Sequence, residues 1–157
     1  MILSLHSLGE IFSNHAIICA LIGWFAAQSL KIPLYFLVEH KWDLKRFVGS
    51  GGMPSSHSAM VVALGIVVGS IEGFNSAEFA TCFVLACIVM YDAAGVRREA
   101  GTQATVINQI LKDFLLNGKQ ISDEELKELV GHTPLEVLCG MILGLVVAGV
   151  YLATMMG

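Results

Sequence analysis

Long apolar stretches dominate the chain, and four of them approach the length needed to cross a bilayer. A membrane-spanning helix needs about 20 predominantly apolar residues. The four stretches occupy roughly residues 11–30, 54–73, 77–96 and 135–156. The second reaches spanning length only if its polar beginning, Pro54 to Ser58, is also helical. The pattern therefore predicts an all-α, integral membrane bundle of about four transmembrane helices, formed by a single membrane-embedded domain over residues 1–157.

The segments between the stretches predict further elements. Lys31 and Pro33 favour a break or kink after the first stretch, so we expect a short re-entrant or interfacial piece over residues 32–40. Within residues 99–131, apolar side chains recur at helical spacing, which predicts an amphipathic helix on the membrane surface or on the bundle. The residues that set this spacing are Val106, Ile107, Ile110, Leu111, Phe114 and Leu115. A capping-box pattern predicts a second, short helix over residues 123–130.

Composition and charge support a membrane protein and indicate its orientation. Hydrophobic residues make up 55% of the chain and charged residues 14%, and the mean hydropathy is +0.73. A net charge of -4 would disfavour nucleic-acid binding if it were spread evenly, but the two signs are segregated along the chain, so position matters more than the sum. We expect no nucleic-acid partner. All 9 Lys and Arg residues lie in two segments, residues 31–46 and 97–127. Both segments are expected to face the cytoplasm, with the termini and residues 72–78 on the opposite side.

This topology brings polar motifs to one membrane face. Gly51 and Gly52, followed by Pro54 at the expected first helical position, leave backbone N–H groups at a helix start, which is a natural anion site. Ser55 and Ser56 add hydroxyl donors. The motif can form a phosphate cradle with His57 as a proton donor. It can equally form a capped helix with a solvated interfacial histidine.

His132 and Glu136 begin the fourth stretch four residues apart. At this spacing Glu136 can reach the imidazole and select its tautomer, which would suit His132 as a nucleophile. The same spacing is common in structural helix caps. Asp92 lies close to Arg97 and Arg98 near the end of the third stretch, and a membrane-embedded carboxylate is costly without a partner. Lys45 and Arg46 are as consistent with simple cytoplasmic charge as with phosphate binding.

Two of these motifs resemble those of the type 2 phosphatidic acid phosphatase and vanadium haloperoxidase superfamily. Residues 54–57 resemble its P-S-G-H motif, and residues 132–140 resemble its H-x-P-x-D-V-L-x-G motif. Residues 51–59 and 91–104 are similar to the divergent branch, whose members are short bacterial and plastid membrane proteins. Three positions depart from the pattern: Ser56 replaces Gly, Glu136 replaces Asp, and Leu126 replaces an Arg.

The resemblance implies a phosphatase that needs no metal or cofactor. His132 would attack phosphorus to form a phosphohistidine, Glu136 would orient His132, and His57 would protonate the leaving oxygen. The phosphate ligands would come from Ser55, Ser56, Arg97, Arg98, Lys45 and Arg46, with Asp92 in a supporting position.

The implied substrate is a lipid phosphate, either a phosphomonoester or a pyrophosphate, and the implied location is the bacterial inner membrane with the site facing the cytoplasm. Halide oxidation is disfavoured because the haloperoxidases of the superfamily are large and soluble. The main alternative is a non-catalytic membrane protein that binds phospholipid headgroups or scaffolds partners. Glycines in the fourth stretch also suggest that two copies could pair as a homodimer.

Overall fold

The computed structural model describes residues 5–40, 42, 47, 51–116 and 131–155. These residues form α helices and contain no strand. The helices are α1 (Leu5–Phe12), α2 (His15–Glu39), α3 (Ser56–Glu72), α4 (Ala77–Ala94), α5 (Val96–Leu116) and α6 (Pro134–Met155). Helices α2, α4 and α6 contain segments long and apolar enough to cross a bilayer, while α3 is an apolar helix of 17 residues. The helical membrane bundle is confirmed, and a fourth crossing by α3 stays a prediction.

Helix α2 continues through Pro33, so the predicted re-entrant piece after Lys31 is wrong. The helix is 25 residues long and ends at Glu39. His40 caps it, and the His40 N–H donates to the carbonyl of Phe36. Proline removes one helical hydrogen bond, but neighbouring helices let membrane helices tolerate that loss. As a consequence, Lys31 lies within the spanning segment His15–Leu37 instead of beyond its end.

Helix α3 is the centre of the bundle and packs against α2, α4 and α6. Its buried face consists largely of small residues, including Ala59, Ala63 and Gly65. The neighbouring helices meet this face with glycines: a Cβ at Gly23 would lie 3.0 Å from the Ala59 carbonyl oxygen, and one at Gly144 would lie 2.7 Å from it. Small residues let helix backbones approach closely where lipid provides no hydrophobic drive for association.

The helix directions bring four helix ends together. Gly144 lies beside Ala59 and Gly140 beside Ser55, so α6 runs parallel to α3. At the far end, His15 at the start of α2 hydrogen-bonds Tyr151 near the end of α6, with 2.8 Å between Nδ1 and the phenol oxygen. The C-terminal part of α2 from residue 28, the first turns of α3 and α6 and the last turn of α4 therefore share one end, here called the histidine end. The end with His15 is called the opposite end.

The predicted amphipathic helix is present as α5. Val106, Ile107 and Ile110 are exposed, whereas Ala104 and Asn108 are buried. The placement of α5 on a membrane surface stays a prediction. The short helix predicted over residues 123–130 lies outside the described residues.

Candidate active site

The start of α6 is a capping box that determines where the Glu136 carboxylate lies. Thr133 precedes the helix, and its hydroxyl accepts a hydrogen bond from the Glu136 N–H at 3.3 Å. In return, Glu136 Oε2 accepts from the Thr133 N–H at 3.1 Å. Pro134 is the first helical residue, where a missing N–H costs nothing. Local sequence is therefore enough to turn the carboxylate back toward His132.

His132 is held by a side-chain contact and a backbone contact. Its Nδ1 lies 2.9 Å from Glu136 Oε2, as its four-residue spacing from Glu136 predicted. An ionised carboxylate only accepts hydrogen bonds, so Nδ1 is the donor in this contact, and the neutral tautomer that makes the contact has its lone pair on Nε2. The backbone N–H of His132 donates to the Ala93 carbonyl at 2.9 Å. The side chain is only 2% exposed, so its orientation is determined by the protein.

The start of α3 differs in detail from the expected cradle. Ser55 is the N-cap, so the expectation that Pro54 is the first helical residue is wrong. The Ser55 hydroxyl accepts from the Ser58 N–H at 3.4 Å and from the Ser58 hydroxyl at 3.1 Å, and the Ser55 N–H donates to the Glu136 carbonyl at 3.0 Å. Ser55 thus has a structural role, and its predicted phosphate contact stays a prediction. Ser56 follows as the first helical residue and is buried.

The glycine pair before this helix allows the chain to turn into it. Gly51 and Gly52 have φ values of 86° and 82°. Residues with a Cβ rarely adopt this region, and glycine enters it without steric cost. The backbone conformation therefore favours glycine at both positions.

His57 and His132 face each other across the start of the two helices. Their ring centroids are 6.0 Å apart, with an interplanar angle of 70°. A nucleophile attacks from about 3–3.5 Å, and a general acid acts over a hydrogen bond of about 2.6–3.2 Å, so both rings have to lie within a few ångströms of the group on which they act. One phosphate group can therefore be in reach of both rings.

Gly140 is the reason the two histidines can be this close. A Cβ at this position would overlap the carbonyl oxygen of Ser55 and lie 2.9 Å from the Ser58 Cβ. The glycine therefore permits contact between the two helix starts. The two sequence motifs therefore lie in contact with each other, in addition to lying at the same end of the bundle.

The predicted charged residues are only partly placed. Asp92 is half-buried on the last turn of α4, next to the Ala93 carbonyl that binds His132. Arg97 and Arg98 belong to the first turn of α5, immediately after this point, and only their backbone is described. Lys45 and Arg46 lie outside the described residues. Among the described residues, no three His, Cys, Asp or Glu side chains are grouped as a metal ion would require.

Sequence reasoning missed two residues at the histidine end. Gln28 is 5% exposed and Lys31 is 3% exposed, and both are on α2. Lys31 was assigned only to the cytoplasmic charge pattern. A signal was available, because Gly23, Ala27 and Lys31 follow one another at four-residue spacing on one helix face.

Comparison with known proteins identifies the family of the chain. The sequence profile described as the divergent PAP2 family matches residues 12–147. The chain is also 40% identical over 146 residues to the uncharacterized membrane protein YuiD of Bacillus subtilis (strain 168), covering 87% of this chain and 92% of that protein. No solved structure matches. With most of its length matched, including both histidine motifs, the chain belongs to the divergent PAP2 family.

Proposed function

We propose that this protein removes phosphate from a lipid phosphate, a phosphomonoester or a pyrophosphate, through a phosphohistidine intermediate at His132. One observation carries the proposal: a buried His132 whose Nδ1 is 2.9 Å from a carboxylate faces a second histidine at 6.0 Å. The Nδ1 contact leaves Nε2 available as the nucleophile. The second ring can then exchange a proton with the leaving or attacking oxygen.

In the first half of the reaction, the Nε2 lone pair of His132 attacks phosphorus. The new N–P bond forms as the bond from phosphorus to the lipid oxygen breaks, and a protonated His57 gives its proton to that oxygen. Glu136 keeps the Nδ1 proton in place and compensates the positive charge that develops on the ring. This is nucleophilic catalysis assisted by general acid catalysis.

In the second half, a water molecule attacks the phosphorus of phosphohistidine. The neutral His57 accepts a proton from the water, the N–P bond breaks, and inorganic phosphate leaves. His57 is then protonated and His132 is neutral with its Nε2 lone pair restored. The cycle closes without an external redox partner or co-reactant other than water.

Cations and backbone N–H groups would hold the charge of the phosphate during both steps. Arg97 and Arg98 are supported as ligands because α5 starts directly after the α4 carbonyl that binds His132. Lys45 and Arg46 remain candidates from the charge pattern. The start of α3 supplies N–H groups at Ser56 and His57, in the position that helix starts use for anions.

A lipid substrate fits the position of the histidine end. The ends of three membrane-length helices, α2, α4 and α6, surround it, so a headgroup can enter at the interface while its apolar chains stay in the bilayer. We further propose that this end faces the cytoplasm, because every Lys and Arg of the chain lies in residues 31–46 and 97–127, the sequence segments that link the helix ends gathered there. Cations there would attract anionic headgroups, worth about 1 kcal/mol per residue near the surface.

Phosphate release by the purified protein in detergent tests the proposal. The substrates are phosphatidate, phosphatidylglycerol phosphate and a polyprenyl pyrophosphate, each with and without orthovanadate. We expect release from at least one substrate, inhibition by vanadate, and an acid-labile, alkali-stable phosphoenzyme on His132. If the protein binds vesicles containing these lipids but releases no phosphate, the phosphatase proposal is wrong and non-catalytic headgroup binding becomes the better-supported function. The changed motif positions Ser56, Glu136 and Leu126 favour that second candidate.

A further inference from the structure

Lys31 is a buried cation inside a helix long and apolar enough to span the membrane. Its side chain is 3% exposed, and its helix segment, His15–Leu37, continues beyond it. A charged side chain at this depth is costly even when the protein partners it, and such residues usually serve a pathway or a site. Hydrophobic packing alone does not explain a lysine here.

The register of α2 on α3 places Lys31 at the histidine end. Gly23 lies opposite Ala59 and Ala63, and Lys31 follows Gly23 by eight residues, or about 12 Å along the axis. The same displacement along the antiparallel neighbour α3 leads to the level of Met53. His57 is about one helical turn from that level, roughly 6 Å along the axis. A flexible lysine stem can cover that distance.

A cavity confirms this register and gives Lys31 an open space. It has a volume of about 410 Å³ and is lined by Lys31, Tyr35, Glu39, Gly52 and Met53, among others. This volume is in the range of small-ligand pockets. Gly52 and Met53 lead directly into the α3 start that carries His57, so the cavity lies next to His57 along the chain.

Gln28 provides an independent polar signal on the same helix face. By the same count it lies level with Ser56, and its side chain is 5% exposed. Its Oε1 is buried and has no hydrogen-bond partner within the described part of the chain. A buried polar atom of this kind carries a desolvation cost, which a bound group removes. Since an amide can be turned over to exchange its oxygen and nitrogen, Gln28 can present its NH₂ to the same space and donate a hydrogen bond to a phosphate oxygen.

We propose that Lys31 binds the phosphate group handled by His132, that Gln28 hydrogen-bonds the same group, and that the Lys31 cavity admits it. The inference rests on the proposed function and deepens it by naming a phosphate-binding cation on α2. Lys31 would then contribute a charge-assisted hydrogen bond from the side of the site opposite α4 and α5.

Calorimetric titration tests this binding directly. The purified full-length protein is titrated with orthovanadate and, separately, with inorganic phosphate. We expect Lys31→Met to lower the binding affinity for both anions by about 10- to 100-fold, which is the effect of one lost charge-assisted hydrogen bond. Gln28→Leu should lower the same two affinities by about 3- to 10-fold. Lys112→Met removes the same charge from α5 and is the matched control, expected to stay within about twofold. Anion affinities of Lys31→Met equal to those of the wild type would overturn the inference.

Lys31→Gln keeps a polar side chain without the charge and covers the case in which the methionine variant does not fold. Circular dichroism and gel filtration check folding. If neither variant folds, Lys31 is a structural residue and the binding assignment is wrong.

Phosphatidate in detergent micelles forms the second arm of the experiment and distinguishes the source of the anion. We expect its KM to rise in Lys31→Met in parallel with the weaker vanadate binding. A rise in KM without weaker vanadate binding would assign Lys31 to another part of the headgroup and contradict the proposal. A wild-type protein that binds vanadate but releases no phosphate would end the proposed function alone. An active enzyme unaffected by Lys31→Met would end this inference alone.

Discussion

The two ends of the bundle each hold a partnered histidine, but the surroundings of the two rings differ. At the opposite end, His15 bonds the phenol of Tyr151 above an apolar core of Ala16, Cys19, Ala63, Val67, Ala148 and Tyr151. At the histidine end, His132 bonds a carboxylate. With the exception of Asn108, the buried polar residues of the described chain belong to this end: Gln28, Lys31, Ser55, Ser56, Ser58 and His132.

The difference shows which feature of a histidine site carries chemical meaning. A phenol can donate or accept, so Tyr151 does not select a tautomer for His15, whereas Glu136 can only accept from His132. His15 is also exposed, while His132 is buried opposite His57. Burying polar groups costs free energy, so their concentration at one end indicates function there. A partnered histidine alone does not.

Removal of the nucleophile should have the largest effect. We expect His132→Ala to lower phosphate release by at least about 10⁴-fold, because the substitution removes the group that forms the covalent intermediate. The measurement is phosphate release from the best lipid substrate, with circular dichroism as a check of folding. His15→Ala is the matched control at the opposite end and should keep turnover within about threefold. Phosphate release by His132→Ala at the wild-type rate would end the phosphohistidine mechanism.

Loss of the proposed general acid should have the next largest effect. We expect His57→Ala to slow turnover of a lipid phosphate by about 10²–10⁴-fold. An activated aryl phosphate should suffer much less, because its leaving group departs without a proton. The measurement is kcat for both substrates in the wild type and the variant. An equal loss for both would assign His57 to a role other than leaving-group protonation.

Separation of the two helix starts should have a moderate effect on stability. Gly140→Ala places a Cβ into the Ser55 carbonyl, and we expect it to destabilise the bundle by about 1–3 kcal/mol. Turnover should also fall by about 10- to 100-fold, because His132 shifts relative to His57. Thermal unfolding in detergent and phosphate release measure the two effects.

Gly149→Ala is the control on the same helix near the opposite end. A Cβ there would meet nothing within 4 Å, so we expect stability within about 0.5 kcal/mol of the wild type or slightly above it. Equal destabilisation by Gly140→Ala and Gly149→Ala would mean that the close contact of Gly140 with α3 does not determine the loss of stability.

The orientation of the two ends in the membrane can be measured without an activity assay. In a background where Cys19, Cys82, Cys87 and Cys139 are replaced, single cysteines are introduced at the exposed positions Asn75 and Gln103. Membrane-impermeant thiol reagents added to intact cells should label position 75, and position 103 only after permeabilisation. The reverse pattern would put the histidine end on the outer face.

Much of the fold and part of the candidate site could be predicted from local sequence. Apolar stretch lengths predicted the membrane helices, and the spacing from Thr133 to Glu136 encodes the cap that turns the carboxylate toward His132. Counting spans placed His57 and His132 at the same end. These predictions succeed because they depend on interactions within one or two helical turns, or on the bilayer thickness.

Other features were decided only by tertiary structure. Local sequence predicted a break near Pro33, but packing against α3 and α6 supports a continuous α2 and carries Lys31 into the histidine end. The same holds for two glycines of α6: Gly140 and Gly144 pack within the chain on α3, so neither is open for pairing with a second copy, whereas Gly149 is open. The homodimer stays a prediction. The 6.0 Å separation of the two histidines likewise depends on contacts between residues about 80 positions apart. Sequence determined which helices form and how they begin, because those interactions are local. Which helix faces meet, and therefore which polar residues become buried together, depends on the mutual fit of all the helices.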